Sequence, residues 1–316
     1  MKYLSLFSGI GGFELGIQRA FDTYLVRHES ERAERSSDKH SANPTSENGV
    51  GRQQRALCVG YSEIDKYAIK VYERNFDGHT NYGDATTINA TELPDFDLLV
   101  GGFPCQAFSI AGKRAGFDDT RGTLFFDIAR ILKEKQPRHL VLENVKGLLS
   151  HDGGRTFTTI IGVLSDLGYF VEWQVLNSKD FGVPQNRERV FIVGHLGNEC
   201  RGKVFPIRQD GRGIAKGQST VSRTIQADTE GLNQPNTNEP ILQDGQDRPI
   251  HQRIRKLTPI ECERLQGFPD NWTSGESDTQ RYKMCGNAVT VNTVEAVMKS
   301  LLNHSAPISK RTKVEK

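Results

Sequence analysis

The sequence has no long apolar run, no paired-cysteine motif and almost no net charge, and each absence excludes a class of protein. Its 316 residues carry a formal charge of only +2, so any surface for nucleic acid must be a local cluster of basic side chains. No apolar stretch approaches the roughly 20 residues that a membrane helix needs. No signal peptide is recognisable either, so we expect neither a membrane span nor export.

Cysteine is scarce and scattered. The five cysteines are Cys58, Cys105, Cys200, Cys262 and Cys285. None has CxxC spacing, and no set of cysteines and histidines has the spacing of a zinc site, so we expect no metal. Unpaired thiols fit a reducing cytosol. The length is sufficient for one large domain, alone or with a small partner domain.

One cysteine lies in a loop that directly follows a predicted strand. The apolar run at 97–100 predicts a buried strand, and Gly101-Gly102-Phe103-Pro104-Cys105 continues from it. Pro104 fixes its own φ and favours an extended residue before it, so the thiol of Cys105 projects from a stiffened turn. The polar, glycine-rich stretch Ser109–Thr123 can move and can meet an anion. A lone cysteine is more often inert than reactive, so its role depends on the rest of the chain.

Other predicted strands also end in glycine or carboxylate residues. The strand at 2–7 leads through the glycine-rich stretch 8–16 into a helix, which is the opening of a nucleotide-binding βαβ unit; a P-loop lysine is missing. Glu63 ends the next strand, where such folds hydrogen-bond a ribose. Asp84 follows another strand end; it could accept from an adenine amine, but its residue type alone favours a turn cap.

A further carboxylate is predicted close to the cysteine loop. The short apolar strand at 139–142 ends at Glu143. Cys105 and Glu143 therefore occupy equivalent ends of consecutive strands, and we expect them to face one crevice. Arg187 and Arg189 precede another strand, on the same side of an extended segment.

Two segments interrupt the regular pattern. Polar residues dominate from Arg27 to Arg55, which predicts a mobile surface loop, with a docking loop for a partner as the alternative. Residues 196–252 have isolated apolar residues and predict a small irregular second domain. The basic tail is predicted to be disordered. Periodicity and breakers predict helices from the end of the glycine-rich stretch 8–16 to about Phe21, at 66–75, 124–135 and 156–167, from Thr258 to Leu265, and from Cys285 to about Leu302.

Seven ordered blocks together resemble the cytosine-C5 DNA methyltransferases of bacterial restriction–modification systems. The blocks are Leu6–Phe13, Gly83-Asp84, Gly102–Ser109, Glu143-Asn144-Val145, Gln185–Arg189, Arg255–Pro259 through Gly267-Phe268-Pro269, and Cys285–Val289. Only 27–55 and most of 196–252 lie outside the resemblance. It implies an α/β, Rossmann-like S-adenosylmethionine-dependent methyltransferase fold with a smaller irregular DNA-recognition domain. The implied divisions are a catalytic domain at 1–195, a recognition domain at 196–252, a returning segment at 253–303 and a tail at 304–316.

The resemblance also implies a reaction and its residues. Cys105 would add to C6 of a cytosine flipped out of double-stranded DNA, Glu143 would serve as the acid near N3, and Arg187 and Arg189 would stabilise developing charge. The implied cofactor residues are Phe7, Gly9, Ile10, Gly11, Gly12, Glu63, Ile64, Asp84, Ala85, Pro104, Leu124, Asn287 and Val289. The implied DNA contacts are Gln106, Ser109, Arg121, Arg223 and Thr224. Ile64 stands where relatives often have an aromatic residue, so we expect weaker packing on adenine.

Three alternatives stay open at this point. The enzyme could act on RNA cytosine, as tRNA-acting relatives of this family do; the chain could be a noncatalytic DNA-binding protein on the same fold; or it could be a purely structural Rossmann-like domain. The separate recognition region opposes the first alternative, and the intact Cys105, Glu143 and Arg189 oppose the second. The resemblance further implies a monomer in the cytoplasm of a prokaryotic cell, or a phage-encoded protein.

Overall fold

The computed structural model describes residues 1–37, 56–104, 124–197, 203–207, 242–243, 249–250 and 255–304. The strands are β1 (Lys2–Leu6), β2 (Leu57–Ser62), β3 (Leu98–Gly102), β4 (His139–Val145), β5 (Tyr169–Asn177), β6 (Glu188–Leu196), β7 (Leu242–Gln243) and β8 (Pro249–Ile250). The helices are α1 (Gly12–Ser37), α2 (Lys66–Asn75), α3 (Leu124–Lys135), α4 (Arg155–Asp166), α5 (Pro259–Leu265), α6 (Asp278–Asn287) and α7 (Val291–His304).

Six strands form one sheet in the order β2-β1-β3-β4-β6-β5. Strands β1 to β4 pair in parallel, whereas β6 is antiparallel to both of its neighbours. The chain passes from β1 to β2 on one side and then returns to β3 on the other. This reversal makes a switch point at the carboxyl ends of β1 and β3, where ligands bind in open α/β sheets. The predicted α/β fold is confirmed.

Helices cover both faces of the sheet, because the central parallel strands are apolar on both sides. One core contains α3 and α4 residues such as Phe125 and Ile160 beneath the sheet. The other contains α1 and α7 residues such as Ile17 and Val294. Leu99 lies in the first core and Val100 in the second, and both are fully buried.

Two predicted boundaries are wrong. Helix α1 does not end near Phe21 but continues to Ser37, so the first part of the predicted loop from Arg27 is helical. Residues 27–37 contain three Glu and three Arg, which are good helix formers, and Arg27 and Glu31 have the i,i+4 spacing that supports a helix. The remainder of that predicted loop, 38–55, lies outside the described residues.

The second error concerns the last helix. Cys285 does not open it; Cys285–Asn287 end α6, and α7 begins only at Val291. The intervening Thr290 has a buried hydroxyl that bonds both Ser178 and Gln266, which fixes this link between the helices.

The predicted recognition region lies mostly outside the described part of the chain. Within it, β7 and β8 form a two-stranded antiparallel pair, and 203–207 packs beside the large sheet. Where the structure is described, no helix is both long and apolar enough to cross a membrane. The same residues contain no group of histidine, cysteine and carboxylate side chains that could hold a metal ion.

Candidate active site

The loop after β1 adopts a backbone that few side chains tolerate. Phe7, Gly9 and Gly11 all have positive φ angles, of 55°, 55° and 88°, and such an angle is uncommon for a residue with a side chain. A Cβ on Gly11 would lie 2.1 Å from the Phe76 ring, whereas a Cβ on Gly9 would have open space around it. Glycine is therefore required at Gly11 for packing, and Gly9 leaves its backbone accessible to a ligand.

Two further residues of this loop pack against the carboxyl-terminal segment. A Cβ on Gly12 would lie 2.8 Å from Val289, so the absence of a side chain lets α1 approach the residue between α6 and α7. Ile10 is buried, and its carbonyl accepts a 2.9 Å hydrogen bond from Trp272 Nε1. Trp272 and Val289 of the carboxyl-terminal segment thus pack directly against the loop after β1.

The loop after β2 is joined to the first loop by Glu63. Its Oε2 accepts from the Gly9 N–H, and its Oε1 accepts from the N–H groups of Ile64 and Asp65, all at 2.8 Å. A carboxylate has about four acceptor positions, so acceptor capacity remains for one more donor. Ile64 is 72% exposed, and an aliphatic side chain at this edge can pack on a planar ligand. Asp65 caps α2 and pairs with Lys283 at 2.8 Å.

Asp84 caps a turn, as its residue type favoured. Its Oδ1 accepts from the backbone N–H and the hydroxyl of Thr86, both at 2.9 Å. The carboxylate is nevertheless exposed, with its second oxygen able to accept from a ligand. Ala85 is buried in the following turn, and Ser62 ties this loop to β2 through the Gly83 carbonyl.

The loop that leads to the cysteine begins beside Glu143. Gly102 pairs with Glu143 across β3 and β4, and a Cβ on Gly102 would lie 3.3 Å from Glu143 Oε2. Asn144 Nδ2 donates a 2.8 Å hydrogen bond to the Phe103 carbonyl, which fixes the backbone just before Pro104. Pro104 is exposed, and Leu124 is the first residue of α3. The predicted nucleophile, Cys105, lies outside the described part of the chain. The five predicted DNA contacts also lie outside it: Gln106, Ser109, Arg121, Arg223 and Thr224.

Glu143 is a buried carboxyl group in contact with an arginine. Arg189 Nε lies 3.1 Å from Glu143 Oε1, although that oxygen has no well-aligned hydrogen bond among the described residues. Burial raises the pKa of Glu143 above its ordinary value, and the charges of Arg189 and Arg187 oppose the shift. The net increase makes Glu143 easier to protonate than a surface carboxylate.

Arg187 has different partners from Arg189. Its guanidinium donates to the carbonyls of Gly286 at 3.0 Å and Ala288 at 2.9 Å. Burial lowers its pKa to about 10, a value at which it stays charged at neutral pH. These two carbonyls lie on either side of Asn287, which is exposed. Arg187 therefore fixes the backbone of the short segment that contains Asn287 and continues to Val289.

Three positioning residues were not predicted as such from the sequence: Asn144, Trp272 and Lys283. Asn144 belongs to a recognised block, but its carbonyl partner is 41 residues away. Trp272 and Lys283 contact residues more than 200 positions earlier in the chain. No local pattern signals such contacts, although the Asp65 partner of Lys283 has the helix-capping residue type.

Known proteins are similar to this chain over nearly its whole length. The family described as C-5 cytosine-specific DNA methylase matches residues 1–210 and 197–303. Type II methyltransferase M1.ScrFI of Lactococcus lactis subsp. cremoris is 40% identical over 95% of this chain and 78% of its own length. Type II methyltransferase M.NlaX of Neisseria lactamica is 36% identical over 98% of this chain and 99% of its own length.

A solved structure shows the same fold. The Dnmt2 methyltransferase of S. pombe superposes with a TM-score of 0.62 and 20% identity, covering 96% of this chain and 98% of that one. The matched family spans nearly the whole chain and its curated relatives are bacterial modification enzymes. The chain therefore belongs to the C-5 cytosine-specific DNA methylases and is a DNA (cytosine-5-)-methyltransferase.

Proposed function

We propose that the protein transfers a methyl group from S-adenosylmethionine to C5 of a flipped-out cytosine within a short, specific sequence of duplex DNA. The observation that carries this proposal is the position of buried Glu143 beside the loop that leads to Cys105. The loops after β1 and β2, which offer the open space at Gly9 and the acceptor capacity of Glu63, lie at the same carboxyl ends of the parallel strands as Glu143.

The residues around the switch point fit S-adenosylmethionine. Glu63 retains acceptor capacity suited to a ribose hydroxyl, and the exposed oxygen of Asp84 is suited to an amine of adenine. Ile64 offers an exposed apolar surface for the base, and Gly9 leaves space for the methionine part. The remaining residues that we propose to line the cofactor site are Phe7, Ile10, Gly11, Gly12, Ala85, Pro104, Leu124, Asn287 and Val289. When bound, the cofactor supplies an electrophilic methyl group.

The chemistry requires covalent activation, because C5 of cytosine is a poor nucleophile. In the proposed step the Cys105 thiolate forms a bond to C6, the C5=C6 double bond opens, and electron density moves into the ring. Protonated Glu143 donates its proton at N3, which its raised pKa favours. C5 would then take the methyl group, and the electrons of the broken methyl–sulfur bond would stay on sulfur, so that S-adenosylhomocysteine leaves. A base would remove the C5 proton, the bond between the cysteine sulfur and C6 would break as the C5=C6 double bond returns, and the N3 proton would go back to Glu143.

The two arginines serve the same reaction in different ways. Arg189 contacts Glu143, so its charge lies where negative charge develops on the ring. Arg187 was predicted to stabilise that charge as well, and the Coulombic influence of Arg187 on Glu143 is compatible with such a role. Its direct partners are the Gly286 and Ala288 carbonyls. We therefore propose that its main role is to fix the backbone around Asn287, a predicted cofactor residue.

Duplex DNA would bind between the catalytic domain at 1–195 and the recognition domain at 196–252. Gln106, Ser109 and Arg121 would contact the DNA from the cysteine loop, and Arg223 and Thr224 from the recognition domain. Base-edge contacts there would give specificity, and phosphate contacts would give affinity. The segment at 253–303 would return to the catalytic domain. We propose a monomer acting in a prokaryotic cytoplasm within a restriction–modification system.

The proposal is tested by methyl transfer from labelled S-adenosylmethionine to duplex DNA, with tRNA as the competing substrate. Label on duplex DNA at cytosine C5 in one sequence context is the expected result. Label on tRNA alone would favour the RNA-modifying alternative, and DNA binding without transfer would favour the noncatalytic one.

A further inference from the structure

Residues 203–207 follow β6 in the chain and pack beside the large sheet, where side chains of the edge strand β5 hold their backbone. Glu172 Oε1 accepts a 3.1 Å hydrogen bond from the Val204 N–H, and its Oε2 accepts one of 3.4 Å from the Phe205 N–H. One carboxylate thus binds two successive backbone donors that would otherwise lack a strand partner.

Gln174, two residues further along β5, holds the last described residue of this segment at both of its backbone groups. Ile207 N–H donates to Gln174 Oε1 at 2.8 Å, and Gln174 Nε2 donates to the Ile207 carbonyl at 3.1 Å. A primary amide can replace a neighbouring strand in this way, because it carries one acceptor and two donors. The two contacts fix the direction of the backbone at Ile207, just before residues 208–241.

The segment is anchored independently by its apolar side chains. Val204 and Phe205 are 2% and 6% exposed and belong to the core that contains Phe191 and Met298. Ser300 Oγ also donates to the Val204 carbonyl at 2.8 Å. Ile207 is only partly buried against the same core, so loss of the Gln174 amide should leave the segment in place and loosen the backbone direction at Ile207.

We propose that Gln174 is a positioning residue for DNA recognition, because it orients the chain at Ile207, from which the rest of the proposed recognition domain continues. This inference rests on the proposed function, which assigns residues 196–252 to recognition. β5 and β2 are opposite edges of the sheet, so a change at Gln174 is far from the cofactor loop that contains Glu63. We therefore expect a change at Gln174 to raise KM for DNA and to leave KM for S-adenosylmethionine unchanged.

The test compares Gln174→Met, which keeps the side-chain length but removes both hydrogen bonds, with Phe170→Ala as the matched control. Phe170 lies on the same strand and is 58% exposed. Steady-state methyl transfer to plasmid DNA should show KM for DNA raised about 10-fold in Gln174→Met, which corresponds to about 1.4 kcal/mol. KM for S-adenosylmethionine, kcat and the thermal midpoint should change little. Phe170→Ala should match the unsubstituted protein.

An unchanged KM for DNA, or an equal rise in both KM values, would overturn the positioning role. If Gln174→Met does not fold, Gln174→Glu provides the same comparison, because it keeps the acceptor and loses the donor. Fluorescence anisotropy with a labelled duplex separates this inference from the proposed function. An unsubstituted protein without methyl transfer contradicts the function, whereas equal duplex affinity in Gln174→Met contradicts the positioning role.

Discussion

A buried carboxyl group behind the first loop should make the protein less stable as pH rises. Glu14 lies in the first turn of α1 and is 1% exposed, and it accepts a 3.1 Å hydrogen bond from the Tyr72 hydroxyl. Burial raises its pKa to about 7 from 4.5, although the Tyr72 hydrogen bond acts in the opposite direction. Ionising Glu14 therefore costs more in the folded protein than in the unfolded chain.

The sign and size of the effect follow from linkage. An acid with a raised folded-state pKa contributes its full stability below the unfolded pKa, and this contribution is lost as pH rises through about 7. The difference of about 2.5 pKa units corresponds to about 3 kcal/mol at pH 8. Glu14→Gln cannot ionise and keeps an acceptor for Tyr72, so it should avoid most of this cost.

The assay is denaturant unfolding of both proteins at pH 5 and at pH 8. We expect Glu14→Gln to increase the free energy of unfolding by up to about 3 kcal/mol at pH 8 and by less than about 1 kcal/mol at pH 5. Glu134→Gln, an exposed position on α3, is the control and should show no such difference. Equal effects of Glu14→Gln at the two pH values would refute the reasoning.

Two further predictions concern the catalytic groups and are tested by steady-state kinetics. Glu143→Gln removes the proton donor at similar size and should lower kcat by about 100-fold, with the affinity for S-adenosylmethionine retained; a kcat within threefold would contradict the role of Glu143. Arg187→Met removes both contacts to the Gly286 and Ala288 carbonyls and should raise KM for S-adenosylmethionine by about 10-fold, the equivalent of about 1.4 kcal/mol. A loss confined to kcat would instead place Arg187 with Arg189 at the reacting base.

The sequence predicts the regular parts of this fold well because their signals are local. Helix α2 has the predicted bounds since its apolar residues recur with helical period and Asp65 caps its first turn. Helix α3 also has the predicted bounds, with Pro137 soon after its end. The end of β2 beside Glu63 was likewise predictable, because a short apolar run stops where a carboxylate begins. The apolar run before Glu143 predicts β4, but that strand continues two residues further, to Val145.

Other features depend on contacts that no local pattern contains. The extension of α1 is not evident from composition, because a polar stretch is typical of a loop, although alternating charges also support a helix. The break between α6 and α7 depends on Thr290 and its distant hydrogen-bond partners. The separate roles of Arg187 and Arg189 were not predictable, since spacing places both on one side but does not identify the carbonyls that bind Arg187.

The most direct test of the central proposal is base-resolution mapping of 5-methylcytosine in mixed-sequence duplex DNA, with the unsubstituted protein and Cys105→Ser compared in parallel. We expect methylation at C5 of cytosine in one short sequence context for the unsubstituted protein, and none for Cys105→Ser, which should still bind S-adenosylmethionine. Full methylation by Cys105→Ser would contradict covalent catalysis by this cysteine.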